Sequence, residues 1–147
     1  MKHPLSKNTP AIRDPFIRVG TINKAVAKAA KIQAADIYIN RNYRAHIRNR
    51  HAAEYEQAGL DVVTYARTIC QNFNQIRATG KAVDEIKEAV LLVVHKEKLH
   101  DVAVIELNYS QEYHFWEIKT AEPRRNSAIN KLALKWEEAK HPSDGNG

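Results

Sequence analysis

A basic helical segment carries the side chains best suited to acid–base and phosphate chemistry. Between residues 41 and 51 the chain has no acid and six basic or imidazole side chains, namely Arg41, Arg44, His46, Arg48, Arg50 and His51. Residues three and four apart are neighbours on a helix, so His46, Arg50 and Glu54 share one face. An imidazole can move a proton near neutral pH, and a guanidinium can hold two phosphate oxygens. The segment favours phosphoryl chemistry, with a solvated basic helix as the alternative.

A second group of polar side chains lies at the end of the last predicted strand. Lys119 and Thr120 end that strand, Pro123 is expected to stop its pairing, and Arg124 and Arg125 follow in a loop. Strict alternation places Thr120 on the face that contacts the helices. A hydroxyl and several cations at a sheet edge can hold a phosphate. An ordinary strand end with exposed basic residues is the alternative.

Positive charge is concentrated in the first third of the chain. Residues 1–50 contain eleven Lys and Arg against two acids, a net +9, and residues 51–147 contain twelve against fifteen, a net −3. This asymmetry indicates a nucleic-acid or membrane-surface partner, or a solvated basic face. The longest apolar run, residues 89–94, is far short of the roughly 20 residues that span a bilayer, and residues 1–15 lack the apolar core of a signal peptide. We expect a cytoplasmic protein with a polyanionic partner and no membrane association.

The sequence lacks the common motifs for metal, nucleotide or covalent chemistry. It has no P-loop, no dinucleotide fingerprint, no H-E-x-x-H and no G-x-S-x-G. Without a carboxylate cluster or a Cys/His group of metal-ligand spacing, we expect neither a metal nor a cofactor. The single Cys70 is expected to be a buried, inert thiol. Glu106 and Glu117 could each act as a general base, but no diagnostic spacing pairs them.

The elements that position these side chains change from helical to strand-like along the chain. We expect a flexible lead over residues 1–15, one domain over residues 16–140 and a disordered tail over residues 141–147. Hydrophobic periodicity predicts helices over residues 23–32, 41–58, 61–80 and 126–139.

Strand candidates follow from β-branched and aromatic composition. Two short candidates precede the basic helix, over residues 16–19 and 36–39. Three longer candidates follow it, over residues 89–95, 102–109 and 113–121. The short connections between the last three favour antiparallel hairpins. The prediction is an α+β fold in which N-terminal helices, followed by a C-terminal helix, pack on an antiparallel three- to four-stranded sheet. The other sheet face would be an open binding surface.

Two segments carry a resemblance to a known class of enzymes. The helix contains H-I-x-x-R-H from His46 to His51, and the strands end in an aromatic-x-I-K-T-A step from Trp116 to Ala121. Over about residues 16–137, the chain resembles the barnase–EndoU–colicin–RelE class of nucleases, in particular its phage-associated branch. The resemblance implies a barnase-like fold and a metal-independent endoribonuclease, often a toxin or phage protein. Such enzymes cleave RNA by attack of the ribose 2′-OH on the adjacent phosphate.

The resemblance also implies roles for individual residues. His46 would do acid–base work, Arg50 would bind phosphate, and His51 would be a second acid–base group. Thr120 would contact the scissile phosphate from the sheet. Barnase-like members of this class use a Glu as base, and Glu54 is the nearest match, so the division between base and acid stays open. Further RNA contacts would come from the basic residues Arg41, Arg44, Arg48, Lys119, Arg124 and Arg125.

Two other functions remain open from the sequence. A non-catalytic nucleic-acid-binding module would explain the basic first third equally well. An inactive phage-derived relative could instead bind a protein, which an exposed apolar patch of Tyr109, Tyr113 and Phe115 would favour. If the chain is an active toxin-like nuclease, an immunity or antitoxin protein is a possible partner.

Overall fold

A computed structural model of the chain describes residues 12–13, 15–40, 62–80 and 88–139. The strands in these ranges are β1 (Ile12–Arg13), β2 (Phe16–Ile22), β3 (Ala35–Asn40), β4 (Gln75–Ala78), β5 (Ala89–Val94), β6 (Asp101–Ser110), β7 (Phe115–Arg125) and β8 (Leu134–Glu137). The helices are α1 (Lys24–Ala30), α2 (Val62–Asn72) and α3 (Asn126–Ile129). None of these described helices is long and apolar enough to cross a membrane.

The described strands form one mixed sheet in the order β1-β2-β3-β7-β6-β5-β4-β8. Neighbours pair antiparallel except β3 and β7, which run parallel where Ile37 faces Trp116 and Tyr38 faces Glu117. The predicted α+β fold, with N-terminal helices on a three- to four-stranded antiparallel sheet, is therefore wrong. The three long strands were predicted correctly as β5, β6 and β7, but they form only the middle of a much wider sheet.

Helix α1 confirms the prediction over residues 23–32. The Asn23 side chain accepts a hydrogen bond of 2.9 Å from the Val26 amide, which caps the N-terminus. The helix ends where Lys31 adopts a left-handed conformation with φ 61°. Ala27 and Ala30 face the core, and their small side chains let the helix approach the sheet closely.

Helix α2 packs on the same sheet face as α1 but is shorter than predicted. It buries Val62, Ala66, Ile69 and Cys70, a spacing that gives one apolar stripe. The predicted helix over residues 61–80 is wrong beyond residue 72, because Ile76 lies in β4 opposite Leu92 of β5. An isolated apolar residue such as Ile76 fits a helical or a strand pattern, so only its pairing decides.

The predicted C-terminal helix over residues 126–139 is also wrong. Only α3 forms there, and β8 follows as an edge strand in which Trp136 pairs with Ile76. The Trp136 ring packs edge-on against Phe73 with centroids 5.6 Å apart. Trp136 is therefore fixed by a strand partner and an aromatic contact rather than by a helical stripe.

The face opposite α1 and α2 is not the open surface that the sequence predicted. At one end, α3 and strands β5 and β6 share an apolar cluster of Leu91, Val93, Val102, Val104 and Ile129. At the other end, Phe16, Tyr38 and Phe115 form a second buried cluster. The described polar residues that lie between these clusters remain candidates for contact with a ligand.

Candidate functional site

The residues predicted to carry chemistry divide between the described and the undescribed parts of the chain. Those of the basic helix lie outside the described residues, namely Arg41, Arg44, His46, Arg48, Arg50, His51 and Glu54. Those of the last strand are described, namely Lys119, Thr120, Arg124 and Arg125. The candidate site consists of the second group and the residues that it contacts.

A β-bulge in β7 determines the direction of Thr120. The register against β6 shifts so that Glu106 pairs with Thr120 and Lys119 is an extra residue. Ile118 and Ala121 both belong to the helix-facing core, which leaves Thr120 on the opposite face beside Glu106. The expectation that Thr120 faces the helices is therefore wrong, because strict alternation fails where a strand is bulged.

Strand β7 also continues past Pro123, which the sequence predicted would end it. Pro123 pairs with Ala103, and Arg124 pairs with Val102. Among the described residues, β3 pairs with β7 only at Trp116 and Glu117, so no described strand lies beside Pro123 on that side. A proline is tolerated at such an edge because its missing N–H breaks no ladder hydrogen bond. Arg124 thus projects from a strand rather than from a loop.

Three side chains meet on this face, and we call Glu106, Thr120 and Arg124 the β6–β7 cluster. Arg124 Nη2 donates hydrogen bonds to Glu106 Oε1 at 3.1 Å and to Thr120 Oγ1 at 2.8 Å. The Glu106 side chain is 3% exposed, whereas that of Arg124 is 28% exposed. The buried Glu106 carboxylate is therefore connected to solvent through the Arg124 guanidinium and the Thr120 hydroxyl. The hydrogen bond from Arg124 to Glu106 joins two charged groups, and such bonds are stronger than those between neutral groups.

Arg124 retains the capacity to bind an anion. A guanidinium carries five N–H donors, and the two hydrogen bonds within the cluster both come from Nη2. Among the described residues, none accepts a hydrogen bond from Nε or Nη1. Both forked edges of a guanidinium include Nη2, so Arg124 can hold two oxygens of a phosphate once Nη2 leaves Glu106 and Thr120.

Charged residues surround the cluster on both sides. Lys119 and Arg125 are exposed, whereas Glu117 is partly buried on the same face as Phe115. Burial raises the pKa of the Glu117 carboxyl above its ordinary value. The cluster is therefore not a simple basic patch, because an acid as well as basic residues lies near it along β7.

The most informative residue, Glu106, was only one of several candidate bases in the sequence. Its signal is a single acid inside the apolar run of β6, between the core residues Ile105 and Leu107. A buried charge is rare unless it is paired, so an acid at that position indicates a nearby cation. The sequence could not identify Arg124 as that cation, because the bulge that aligns the two residues has no local signature.

A groove of about 610 Å³ lies on the helix side of the sheet, away from the cluster. It is lined by α2 and the ends of β5 and β6, namely Tyr65, Thr68, Ile69, Asn72, Asn74, Val94, His95, Lys96, Ala103 and Glu138. None of the predicted site residues that the structure describes lines it. No group of three His, Cys, Asp or Glu side chains in the described ranges is placed to hold a metal ion.

Comparisons with protein-family models, with curated proteins and with solved structures found no match for this chain. The chemistry assigned to the β6–β7 cluster therefore rests on the residues themselves.

Proposed function

We propose that this chain is a metal-independent endoribonuclease and that the β6–β7 cluster belongs to its reaction site. The observation that supports this function is the buried Glu106 carboxylate, held 3.1 Å from Arg124. Arg124 also contacts Thr120, so a potential base lies beside two residues that the sequence assigned to phosphate binding. Barnase-like members of the class that the sequence resembles use a Glu as base, and Glu106 can supply that group in place of Glu54.

The proposed reaction begins when Arg124 turns from Glu106 to the scissile phosphate. Glu106 then accepts the proton of the ribose 2′-OH, and the 2′-oxygen forms a bond to phosphorus. The bond from phosphorus to the 5′-oxygen breaks, and His46 or His51 protonates the leaving oxygen. The products are a 2′,3′-cyclic phosphate and a 5′-hydroxyl. Arg124 stabilises the charge that develops on the phosphate oxygens.

Glu106→Gln tests the base. The purified chain is incubated with total RNA in excess EDTA, and the product ends are identified. Cleavage by the variant should fall roughly 10²–10⁴-fold, while RNA affinity should not fall. Glu97→Gln, at an exposed turn residue, is the matched control and should cleave like the wild type. Unchanged cleavage by Glu106→Gln, or equal cleavage of a 2′-deoxy substrate, would overturn the mechanism.

Arg124→Ala and Arg125→Ala form a second matched pair, because the two arginines are adjacent and have equal charge. Arg124→Ala should reduce both RNA affinity and cleavage, since a phosphate fork contributes to ground-state and transition-state binding. Arg125→Ala should weaken RNA binding only slightly, because it removes a single exposed charge. Arg124→Lys should not recover the cleavage rate that Arg124→Ala loses, because an ammonium cannot hold two phosphate oxygens in a fixed fork. Equal behaviour of the two alanine variants would exclude Arg124 from the site.

A non-catalytic nucleic-acid-binding module is the second candidate, and the net +9 of residues 1–50 favours it. A binding module should bind RNA in a salt-dependent manner and should cleave none of the RNAs tested. Glu106→Gln would then leave every measurement on RNA unchanged.

A further inference from the structure

An exposed aromatic ring lies on the turn that joins β6 and β7. Tyr113 is 42% exposed, yet its ring has two fixed aromatic neighbours. It stacks on Phe115 with centroids 5.4 Å apart and an interplanar angle of 9°, and it meets Phe16 edge-on at 5.4 Å. Ser110 holds the turn, because its hydroxyl accepts a hydrogen bond of 3.0 Å from the Tyr113 amide. The ring is therefore held in place while part of its surface faces solvent.

The Tyr113 turn and the β6–β7 cluster lie on the same face of the sheet. Phe115 pairs with Ser110, and Thr120 pairs with Glu106. Leu107 packs in the helix-facing core, so the even-numbered residues of β6 from Glu106 to Ser110 project to the opposite face. The four residue steps from Glu106 to Ser110 span about 13 Å. One extended ligand lying along β7 can therefore reach both places.

We propose that Tyr113 is a stacking platform for a base of single-stranded RNA whose phosphate is held by Arg124. This inference rests on the proposed function, because it uses the same RNA and the same sheet face. An aromatic ring offers a flat surface to any base, which suits a strand bound with little sequence preference. The ring is pre-organised by Phe16 and Phe115, so little side-chain freedom is lost on stacking.

The alternative occupant, a protein partner, would need a contiguous apolar patch. The predicted patch of Tyr109, Tyr113 and Phe115 does not form. Phe115 is 2% exposed, and Tyr109 packs against Trp116 with centroids 5.2 Å apart on the helix side. Among the described residues of this face, Tyr113 is left as a single exposed ring, which fits one base better than a protein surface.

Glu117 lies between the platform and the cluster, paired with Asn108. A carboxylate beside a phosphate backbone is unfavourable, so Glu117→Gln should tighten RNA binding. The gain should be modest, no more than about fivefold, because partly exposed charges interact weakly.

The test measures binding separately from cleavage. A fluorescently labelled single-stranded oligodeoxynucleotide has no 2′-OH, so it reports affinity without being cut by the proposed mechanism. Tyr113→Ala should weaken its binding roughly 5- to 150-fold, whereas Tyr113→Phe should bind like the wild type. Leu99→Ala removes a similarly exposed apolar side chain, 49% exposed, from a different turn and should change nothing. Unfolding curves for each variant show that the fold is intact.

Abasic substitutions along the oligonucleotide identify the stacked base. Removing the base that contacts Tyr113 should weaken binding to the wild type but not to Tyr113→Ala. If the chain cleaves RNA and Tyr113→Ala binds like the wild type, the platform is wrong and the proposed function stands. If no RNA is cleaved but binding depends on Tyr113, the platform stands and the nuclease does not. Absence of all oligonucleotide binding would overturn the platform.

Discussion

Gly20 shows how closely β2 approaches α2. A Cβ added at Gly20 would lie 2.5 Å from Cys70 Cβ and 2.8 Å from Cys70 Sγ, closer than real Cβ atoms approach. We expect Gly20→Ala to lower the free energy of unfolding by about 1–3 kcal/mol, the usual cost of overpacking. Urea denaturation measures this change. Adding Cys70→Ala removes the sulfur contact but leaves the Cβ contact, so rescue should be partial, and a full rescue would contradict this packing.

Cys70 itself is buried, as the sequence predicted, and burial raises the pKa of its thiol to about 12. Thiolate is the reactive form, so the native thiol should resist a disulfide reagent at pH 8. Reaction should begin only over the urea range in which tryptophan fluorescence reports unfolding. The unfolded thiol ionises first, so this group should lower the free energy of unfolding as the pH rises from 9 towards 12. Rapid labelling of the native chain would contradict the burial.

At the scale of elements, the bulge at Lys119 keeps Thr120 and Arg124 on one face and Ala121 in the core. Deleting Lys119 should leave Thr120, Ala121 and Arg124 on their present faces, because Thr120 would then follow Ile118 directly and the strand would alternate regularly. We expect the deletion to keep cooperative unfolding and to lower the melting temperature only modestly. Lys119→Ala keeps the bulge and should stay within about 0.5 kcal/mol of the wild type. Thermal unfolding of both variants checks this, and loss of cooperative unfolding on deletion would contradict the register.

Local patterns predicted the elements whose signals are local. Helix α1 has a capping Asn23 and a small-residue face, and β5 to β7 are rich in β-branched and aromatic residues, so both were found. Strand β8 was mistaken for a helix because Ile129 and Trp136 fit a helical stripe, although Trp136 forms a strand pair with Ile76. Tertiary pairing outweighed a weak local preference there.

The candidate site was predicted only in part, because local patterns identify residue types but not how strands pair. Thr120 and Arg124 were chosen as phosphate ligands by residue type, and the structure brings them together at 2.8 Å. Their partner Glu106 lies on a neighbouring strand, and its alignment depends on the bulge rather than on any spacing along the chain.

At the scale of the whole molecule, the wrong fold prediction has one main cause. Strands β3 and β7 pair although Ile37 and Trp116 are about 80 residues apart in the sequence. A parallel pair needs a long crossover, and its two strands carry no shared local signal. Short connections favoured a small antiparallel sheet, whereas the strands before α2 extend that sheet on the β7 side.

The charge distribution supports a prediction that does not depend on catalysis. Residues 1–50 carry a net +9 and the remainder −3, so RNA contacts should come mainly from the first third. Binding that neutralises phosphates releases counterions, and for single strands the log–log slope of affinity against salt is about −0.7 per phosphate. Arg44→Ala and Arg48→Ala should each lessen the slope by about that amount. Titration of one oligonucleotide at several salt concentrations measures it.

Lys131→Ala and Lys135→Ala are the matched controls, because both lysines are exposed and lie in the acidic part of the chain. Their slopes should equal that of the wild type. If all four variants lessened the slope equally, the RNA would be attracted by overall charge rather than by the first third. If binding were insensitive to salt, the basic first third would be a solvated surface, and the affinity would have to come from stacking and neutral contacts such as those proposed for Tyr113.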